Sequence, residues 1–384
     1  MGKKILALLA ALVFAGATYA QEPVVIGVNL ELSGRFATIG TSTLQGIQTA
    51  LEQMPTVDGR TIELSICDNQ TTPEGSINCA ARFIDEGVIG VLGAISSTMS
   101  IAAANPLQEA GVIMISTSST NPATTQIGDR IFRMAYTDDF QGKVAARYAV
   151  NDLGAQRAIV FRQQDDDYSF GLAGFFADEF AALGGETIVL DFVANTVDFS
   201  AQINDARGFD ADVIYYSGFC AEGASLMPQL RQQGFDQQVL GADASDDSQC
   251  PTGGGEAFDG YLLTGFGGAD VLSGAAADRA TDFASFFNLI FPEAADFNGF
   301  TLAGADAFNV LVEAVDNADS TDPAAVLAAL QGLDGYPGVS GEITYAGTDG
   351  TPADRTIAFF QYSVPGADGS EWSKASLFGI GTGD

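Results

Sequence analysis

The sequence predicts an α/β protein built from two doubly wound parallel sheets, and three observations lead there. Short apolar runs rich in Val and Ile recur without polar alternation, as strands buried on both faces require. Stretches with helical spacing of apolar residues separate them, so strand and helix alternate. The chain has 384 residues, which suits two such units better than one.

The elements follow in order. Val24 to Leu30 reads as the first strand, and Leu44, Ile47, Leu51 and Met54 then recur at helical spacing. Asp58-Gly59 turns the chain into a strand over Thr61 to Ile66, which ends at Cys67-Asp68. A helix around Ser76 to Asp85 leads to strands at Val88 to Leu92, Val112 to Ile115 and Ile131 to Met134. A second series opens with a helix from Asp138 to Leu153 and a strand from Ala158 to Phe161. The polar loop Arg162 to Ser169, a helix to Leu183 and a strand from Thr187 to Phe192 come next. A helix over Ser200 to Arg207, a strand at Val213 to Tyr216, a helix at Ala224 to Gln233 and a strand at Val239-Leu240 continue it, and Gly260 to Thr264 closes it.

The tail breaks the alternation. Thr281 to Phe291, Ala303 to Asp316 and Pro323 to Gln331 are helical, the last capped by Asp322. Only Ile357 to Tyr362 reads as a further strand, too little for a third unit. The economical solution returns the helices to the first unit and the late strand to the second. The chain then crosses between units several times, and a cleft forms at the crossovers.

The first twenty residues stand outside this plan. Lys3-Lys4, the apolar run Ile5 to Ala15 and the small residues ending Thr18-Tyr19-Ala20 make a secretory signal peptide, with cleavage expected after Ala20. No Cys follows the apolar run, so no lipid anchor is expected, and no later run approaches membrane-spanning length. An exported chain with four Cys is expected to hold two disulfides. Cys67 with Cys79 and Cys220 with Cys250 is the expected pairing, although four Cys permit three pairings. Their spacings match no zinc pattern and the chain has no His, so no metal is expected. The formal charge of −33 argues against nucleic acid and against electrostatic attraction to anionic lipid. The acidic excess reads as a solubility feature that salt-rich surroundings tolerate.

Two strand ends run into hydroxyl clusters. The stretch Val112 to Pro122 passes from Val-Ile-Met-Ile into five consecutive hydroxyl residues, Ser116 to Thr120. One strand earlier, Val88 to Leu92 gives way to Gly93 and then to Ser96-Ser97-Thr98, which open an Ala-rich helix. Ligands of open α/β sheets bind beyond the carboxyl ends of strands, and a helix start offers N–H groups to a carboxylate. Any single Ser or Thr here reads as a cap or turn residue. The pair of clusters reads as a site.

These residues also carry a family resemblance. Val25 to Gly34, Gly40 with its following helix, Asp68, Ile115 to Pro122, Asp138 to Gly142, and Tyr168 with Phe170-Gly171 resemble the periplasmic leucine/isoleucine/valine-binding proteins of ABC importers. Nearly the whole mature chain is covered in order. The resemblance implies a type I periplasmic binding fold, two lobes joined near residues 137, 265 and 347. Lobe 1 would take 21–137 plus 266–346, and lobe 2 would take 138–265 plus 347–384. By the same resemblance, Ser97 binds an α-carboxylate at a helix start, Ser118 offers its carbonyl to an ammonium, and Thr120 contributes a hydroxyl. Tyr168 and Phe219 are aromatics from the second lobe, Asp243 pairs the ammonium, and Phe300 walls the side-chain pocket. Ile39 and Ala94-Ile95 stand where family members vary, and Asp243 is shorter than the Glu some members carry.

The chemistry of a zwitterion fits that set, because each buried charge needs a partner. From the residues alone, Asp243 reads equally as a helix cap, and Tyr168 and Phe219 as packing. Branched-chain amino acids are the first expectation; aromatic carboxylates and short amides, bound by related proteins, are the alternatives, as is a sensory role. The expected partners are an amino acid and permease subunits, with no cofactor and the chain acting as a monomer. An enzyme is not expected. Without His there is no Ser-His-Asp or Cys-His machinery, and neither a Gly-x-Ser-x-Gly elbow nor a phosphate-cradling Gly-Lys loop occurs. Asp165-Asp166-Asp167 lacks the Gly and Glu of a calcium loop, because Phe170 and Phe176 hold those places.

Overall fold

β1 (Val24–Leu30) is buried at every position except the half-buried Val25, and the first sheet is built outward from it. The computed structural model describes residues 22–294, 297–364 and 372–381. The expected signal peptide, 1–20, and its cleavage point after Ala20 lie outside the described residues.

After β1 come α1 (Ala37–Gln53), β2 (Thr56–Val57), β3 (Arg60–Asp68), α2 (Pro73–Glu86), β4 (Val91–Gly93), α3 (Ser97–Ala110), β5 (Met114–Ser116) and β6 (Ile131–Arg133). Their strands lie in the order β2-β3-β1-β4-β5-β6. All neighbours are parallel except the short β2, which runs antiparallel to β3. The order reverses at β1, which pairs with β3 on one side and β4 on the other, so a crevice opens beyond its carboxyl end. Local chemistry sets the boundaries. α2, for example, starts with Thr72 accepting from the Gly75 N–H and Pro73 in the first turn, and stops at Gly87 with φ +65°.

The second sheet repeats the plan with α4 (Asp138–Asn151), β7 (Arg157–Gln163), α5 (Asp167–Ala182), β8 (Glu186–Phe192), α6 (Ser200–Ala206), β9 (Val213–Tyr216), α7 (Cys220–Gln232), β10 (Gln238–Gly241), α8 (Gln249–Gly254) and β11 (Leu262–Phe266). β7 to β11 are parallel to one another. The tail supplies α9 (Gly274–Ile290), α10 (Gly299–Ala318), α11 (Pro323–Gln331), β12 (Tyr336–Gly338), β13 (Gly341–Ile343), β14 (Thr356–Ser363) and β15 (Ser373–Gly381). β14 and β15 complete the second sheet as antiparallel strands, in the order β15-β14-β11-β10-β9-β7-β8.

α10 returns to the first sheet, packing on α1, β4 and β5. The two helices approach so closely that a Cβ on Gly46 would stand 2.0 Å from the Thr301 carbonyl, and one on Gly304 2.4 Å from that of Thr43. The hairpin β12–β13 lies against α9 and α10. The chain therefore passes between the sheets three times, through 134–137, 267–273 and 344–355. Both disulfides form as the sequence suggested. Cys67–Cys79 ties the end of β3 to α2, and Cys220–Cys250 ties the start of α7 to α8.

Several details differ from the sequence expectation, among them the short β2 and α8, which it did not include. β15 and the β12–β13 hairpin join the single late strand, because their Gly- and Ser-rich stretches carry little apolar periodicity. α7, α9 and α10 begin earlier than expected; the first turn of α7 is held by the disulfide at Cys220 and by buried Glu222 rather than by an apolar stripe. β4 starts at Val91 rather than Val88, whose N–H still bonds the Phe83 carbonyl at the end of α2.

Candidate functional site

Beyond β1, β4 and β5 the first sheet presents loops and the start of α3; beyond β7, β9 and β10 the second sheet presents α5, α7 and the turn at Asp243. These ends face each other. Between them lies a narrow cleft whose empty space, open solvent included, is about 270 Å³. It is lined by Ile39, Ile95, Ser96, Ala244 and all seven residues singled out from the sequence: Ser97, Ser118, Thr120, Tyr168, Phe219, Asp243 and Phe300.

The first-sheet wall is held by its own hydrogen bonds. Buried Arg133, at the end of β6, donates to the carbonyls of Ser119 (3.0 Å), Asn121 (2.9 Å) and Pro122 (3.2 Å). That fixes the hydroxyl loop after β5. Ser116 donates to the Ala94 carbonyl at 2.8 Å, and Ser119 pairs with Thr124 at 2.7 Å, so these two hydroxyls hold the loop together. The Ser97 hydroxyl accepts from Ser119 and from the Asn121 N–H, each at 3.1 Å. Its own proton remains available to an acceptor in the cavity. The Thr120 hydroxyl is buried beside the Asp138 carboxylate.

Glu31, just past β1, is wholly buried and accepts from the N–H groups of Ile95 (3.2 Å) and Ser96 (3.1 Å). It thereby sets the turn that delivers Ser97 to the start of α3. Burial raises its pKa to about 7, against the hydrogen bonds from Ser96 and Ile95 that lower it.

Across the cavity, Asp243 is 3 % exposed. Its Oδ1 accepts from the Tyr168 hydroxyl and from the Gln141 side-chain amide, each at 2.7 Å. Among the described residues, no side chain donates to Oδ2. Burial raises the pKa of Asp243 to about 6, with the bonds from Tyr168 and Gln141 pulling it down. Gln141 also donates to Thr264 at 2.9 Å, which fixes its amide between α4 and β11. Nearby Asp138 is buried, with the Thr120 hydroxyl beside its carboxylate. Burial first, and then the charge on Asp243, push its pKa well above the usual carboxylate range.

The remaining walls are apolar. Phe219 lies 4.1 Å from Phe36 and 5.4 Å from Tyr168 between ring centres, forming a lid of three rings. Phe300, at the start of α10, meets Phe266 edge-on at 5.2 Å. With Ile39 and Ile95 it makes an apolar end to a cavity whose polar groups stand elsewhere. Sequence reading passed over Glu31 and gave no role to Asp138 or Gln141. An acid at the end of an otherwise apolar strand was the available signal for Glu31.

The buried acids set an expected pH response. Glu31 and Asp243 have folded pKa values above their unfolded ones, so the folded state binds more protons and their contribution weakens as pH rises through about 4 to 7. The melting temperature of the ligand-free protein is expected to rise as pH falls from 7.5 to 5.5, and Glu31→Gln is expected to flatten that rise. Calorimetry at several pH values reads it; an opposite slope would show that these acids are stabilised by partners rather than penalised by burial.

Two facing α/β sheets, three crossovers and a polar-and-apolar cleft between strand ends define a ligand-binding clamp of the type I periplasmic binding fold. The comparisons with known proteins agree. The family model for periplasmic binding proteins matches residues 23–370. An amino acid binding protein of Pseudomonas aeruginosa is 31% identical, over 84% of this chain and 86% of its own length. The Leu/Ile/Val-binding protein BraC3 of Rhizobium johnstonii is 28% identical, over 93% and 96%. The crystal structure of the leucine binding protein LivK of Thermotoga maritima superposes with a TM-score of 0.87 at 32% identity, covering 93% of this chain and 98% of that one. The chain belongs to the periplasmic leucine/isoleucine/valine-binding protein family, whose members are substrate-binding proteins. Among the described residues, no group of three or more His, Cys, Asp or Glu is placed to hold a metal ion, and no helix is long and apolar enough to cross a membrane.

Proposed function

We propose that this protein captures a small aliphatic α-amino acid, with leucine, isoleucine or valine first, and delivers it to the permease of an ABC importer from the periplasm. The observation that carries the reading is the pairing of chemistries across one cavity. Asp243 offers a buried carboxylate with an uncommitted oxygen, and Ser97 offers a hydroxyl proton at the N-terminus of α3. An ammonium and a carboxylate on one carbon answer both, and neither charge is then buried alone. Ile39, Ile95 and Phe300 leave an apolar end for an uncharged side chain. The names of the relatives, leucine binding and Leu/Ile/Val-binding, point the same way.

Lobe 1 is 21–137 plus 266–346 and lobe 2 is 138–265 plus 347–384 in this proposal. Strand membership in the two sheets and the packing of α10 on α1 support those ranges. Ligand first meets the hydroxyl wall of lobe 1, and lobe 2 then closes Tyr168, Phe219 and Asp243 over it, so that binding favours the closed form. No bond is made or broken. The closed form, acting as a monomer, is what the permease reads.

A thermal-shift screen of refolded, ligand-stripped protein tests this reading. Ligand at a hundred times its dissociation constant adds about 2.7 kcal/mol. Leucine, isoleucine or valine is expected to raise the melting temperature, and hydroxybenzoates and short amides to leave it unchanged. A shift by acids without an ammonium, and by no amino acid, would overturn the assignment of Asp243.

A further inference from the structure

Arg35 stands on the loop between β1 and α1, outside the set of cavity-lining residues, yet its guanidinium reaches across the cleft. Nη1 donates to Gln163 Oε1 at 2.8 Å and to Glu222 Oε1 at 3.1 Å. Nη2 stands 4.0 Å from Asp166 Oδ2. Gln163 ends β7, Asp166 caps α5 and Glu222 sits in the first turn of α7, so all three acceptors belong to elements of the second sheet. The same guanidinium lies 4.4 Å from the centre of the Phe36 ring and 5.1 Å from that of Phe219, the two rings that close the cavity.

The acceptors show what Arg35 does there. The Glu222 side chain is 1% exposed. Its Oε1 takes one further hydrogen bond, from the Asn195 N–H at 2.8 Å, and its Oε2 has no partner. Asp166 is also buried, and receives a second contact from the first-sheet side, the Thr98 hydroxyl at 3.1 Å. Parting of the lobes removes the Arg35 cation from two carboxylates of the second. Exposed ion pairs are worth little, but this one is largely shielded, charge-assisted and laid over aromatic faces, which strengthens it. In a chain with 16 Lys and Arg against 49 Asp and Glu, a cation in this place is not a matter of abundance.

We propose that Arg35 is a closure latch: it touches no ligand, but by bridging to Glu222, Gln163 and Asp166 it holds the aromatic lid shut and sets how long the ligand stays. The proposal rests on the clamp reading given above. Arg35 is accordingly a positioning residue, and its effect falls on dissociation rather than on encounter. Arg35→Met keeps an aliphatic stem beside Phe36 and Phe219 while removing the charge, the fork and the cation–π contact together, so it separates stem packing from what the guanidinium supplies.

The test measures leucine, isoleucine and valine binding by calorimetry and stopped-flow fluorescence for the parent, Arg35→Met, Arg35→Lys, Glu222→Gln and the double variant Arg35→Met/Glu222→Gln. Arg35→Met is expected to dissociate roughly tenfold faster, with an association rate within about twofold of the parent. Arg35→Lys is expected to recover part of the loss, because an ammonium keeps the charge but not the fork. The double variant is expected to lose no more than the worse single one, the mark of a shared interaction. Small-angle scattering of the ligand-saturated proteins is expected to show Arg35→Met less fully closed. Unchanged dissociation in Arg35→Met, or strictly additive losses, would overturn the latch while leaving the ligand assignment standing. If the parent binds none of the three amino acids, the clamp reading fails first and the latch with it.

Discussion

Asp243→Asn is expected to weaken leucine, isoleucine or valine binding by roughly 30- to 1,000-fold, the range for unpairing one charge of a buried pair. The substitution is nearly isosteric. Its amide oxygen still accepts from Tyr168 and Gln141, which now hold Asp243 Oδ1 at 2.7 Å each. The fold therefore stays intact, and the loss reports the charge alone. Because burial holds Asp243 near a pKa of about 6, the parent is expected to lose affinity as pH falls below 6, by up to about tenfold per unit. The Asn variant is expected to be flat across the same range. Calorimetric titrations from pH 5 to 8 separate the two. A parent whose affinity does not fall below pH 6 would mean that Asp243 stays neutral, or lies too far from the ligand to pair with it. Stability moves the other way over this window, since protonating a penalised buried acid relieves the folded state. Binding and melting temperature should thus part company between pH 7 and pH 5.

Removing the Cys220–Cys250 disulfide by serine at both positions is expected to have the largest effect on stability. The two Cys are 30 residues apart, and loop-closure entropy for that span is worth about 3–4 kcal/mol. A fall in melting temperature of roughly 5 °C follows for a chain of this size. The closed loop contains Asp243, and its ends lie in α7 and α8 on either side of the turn that carries it. Ligand affinity should therefore drop with stability. The Cys67–Cys79 bridge closes a loop of separation 12 between the end of β3 and α2. Its removal should cost somewhat less stability and leave affinity within about twofold, because no cavity residue lies inside its loop. Calorimetry with and without leucine reads both. Equal affinity losses from the two bridges would show that unfolding, rather than the position of Asp243, controls the result.

The parts of this protein that lie close along the chain were legible in its residues. Buried parallel strands read as apolar runs because both faces meet helices, so the central strands of both sheets stood out. The hydroxyl clusters stood out because they interrupt those runs abruptly at Ser96 and Ser116. The Cys pairs followed from export and proximity. The edge strands β12, β13 and β15 did not show, since a strand at an edge buries little and needs no strong apolar pattern.

What the residues determined by themselves is the α/β alternation, two units' worth of strands, and the hydroxyl-rich strand ends. Tertiary structure alone decided which hydroxyls point where: Ser116 and Ser119 fasten their own loop, whereas Ser97 and Thr120 keep capacity toward the cavity. It also decided that Arg133 holds that loop, that Glu31 sets the start of α3, that Gln141 fixes Asp243, and that Arg35 spans the cleft. Each of these is a hydrogen bond between residues far apart in the chain. A local pattern records how a segment buries its own faces, and carries no trace of which distant carbonyl or carboxylate will meet a side chain once the two sheets face each other.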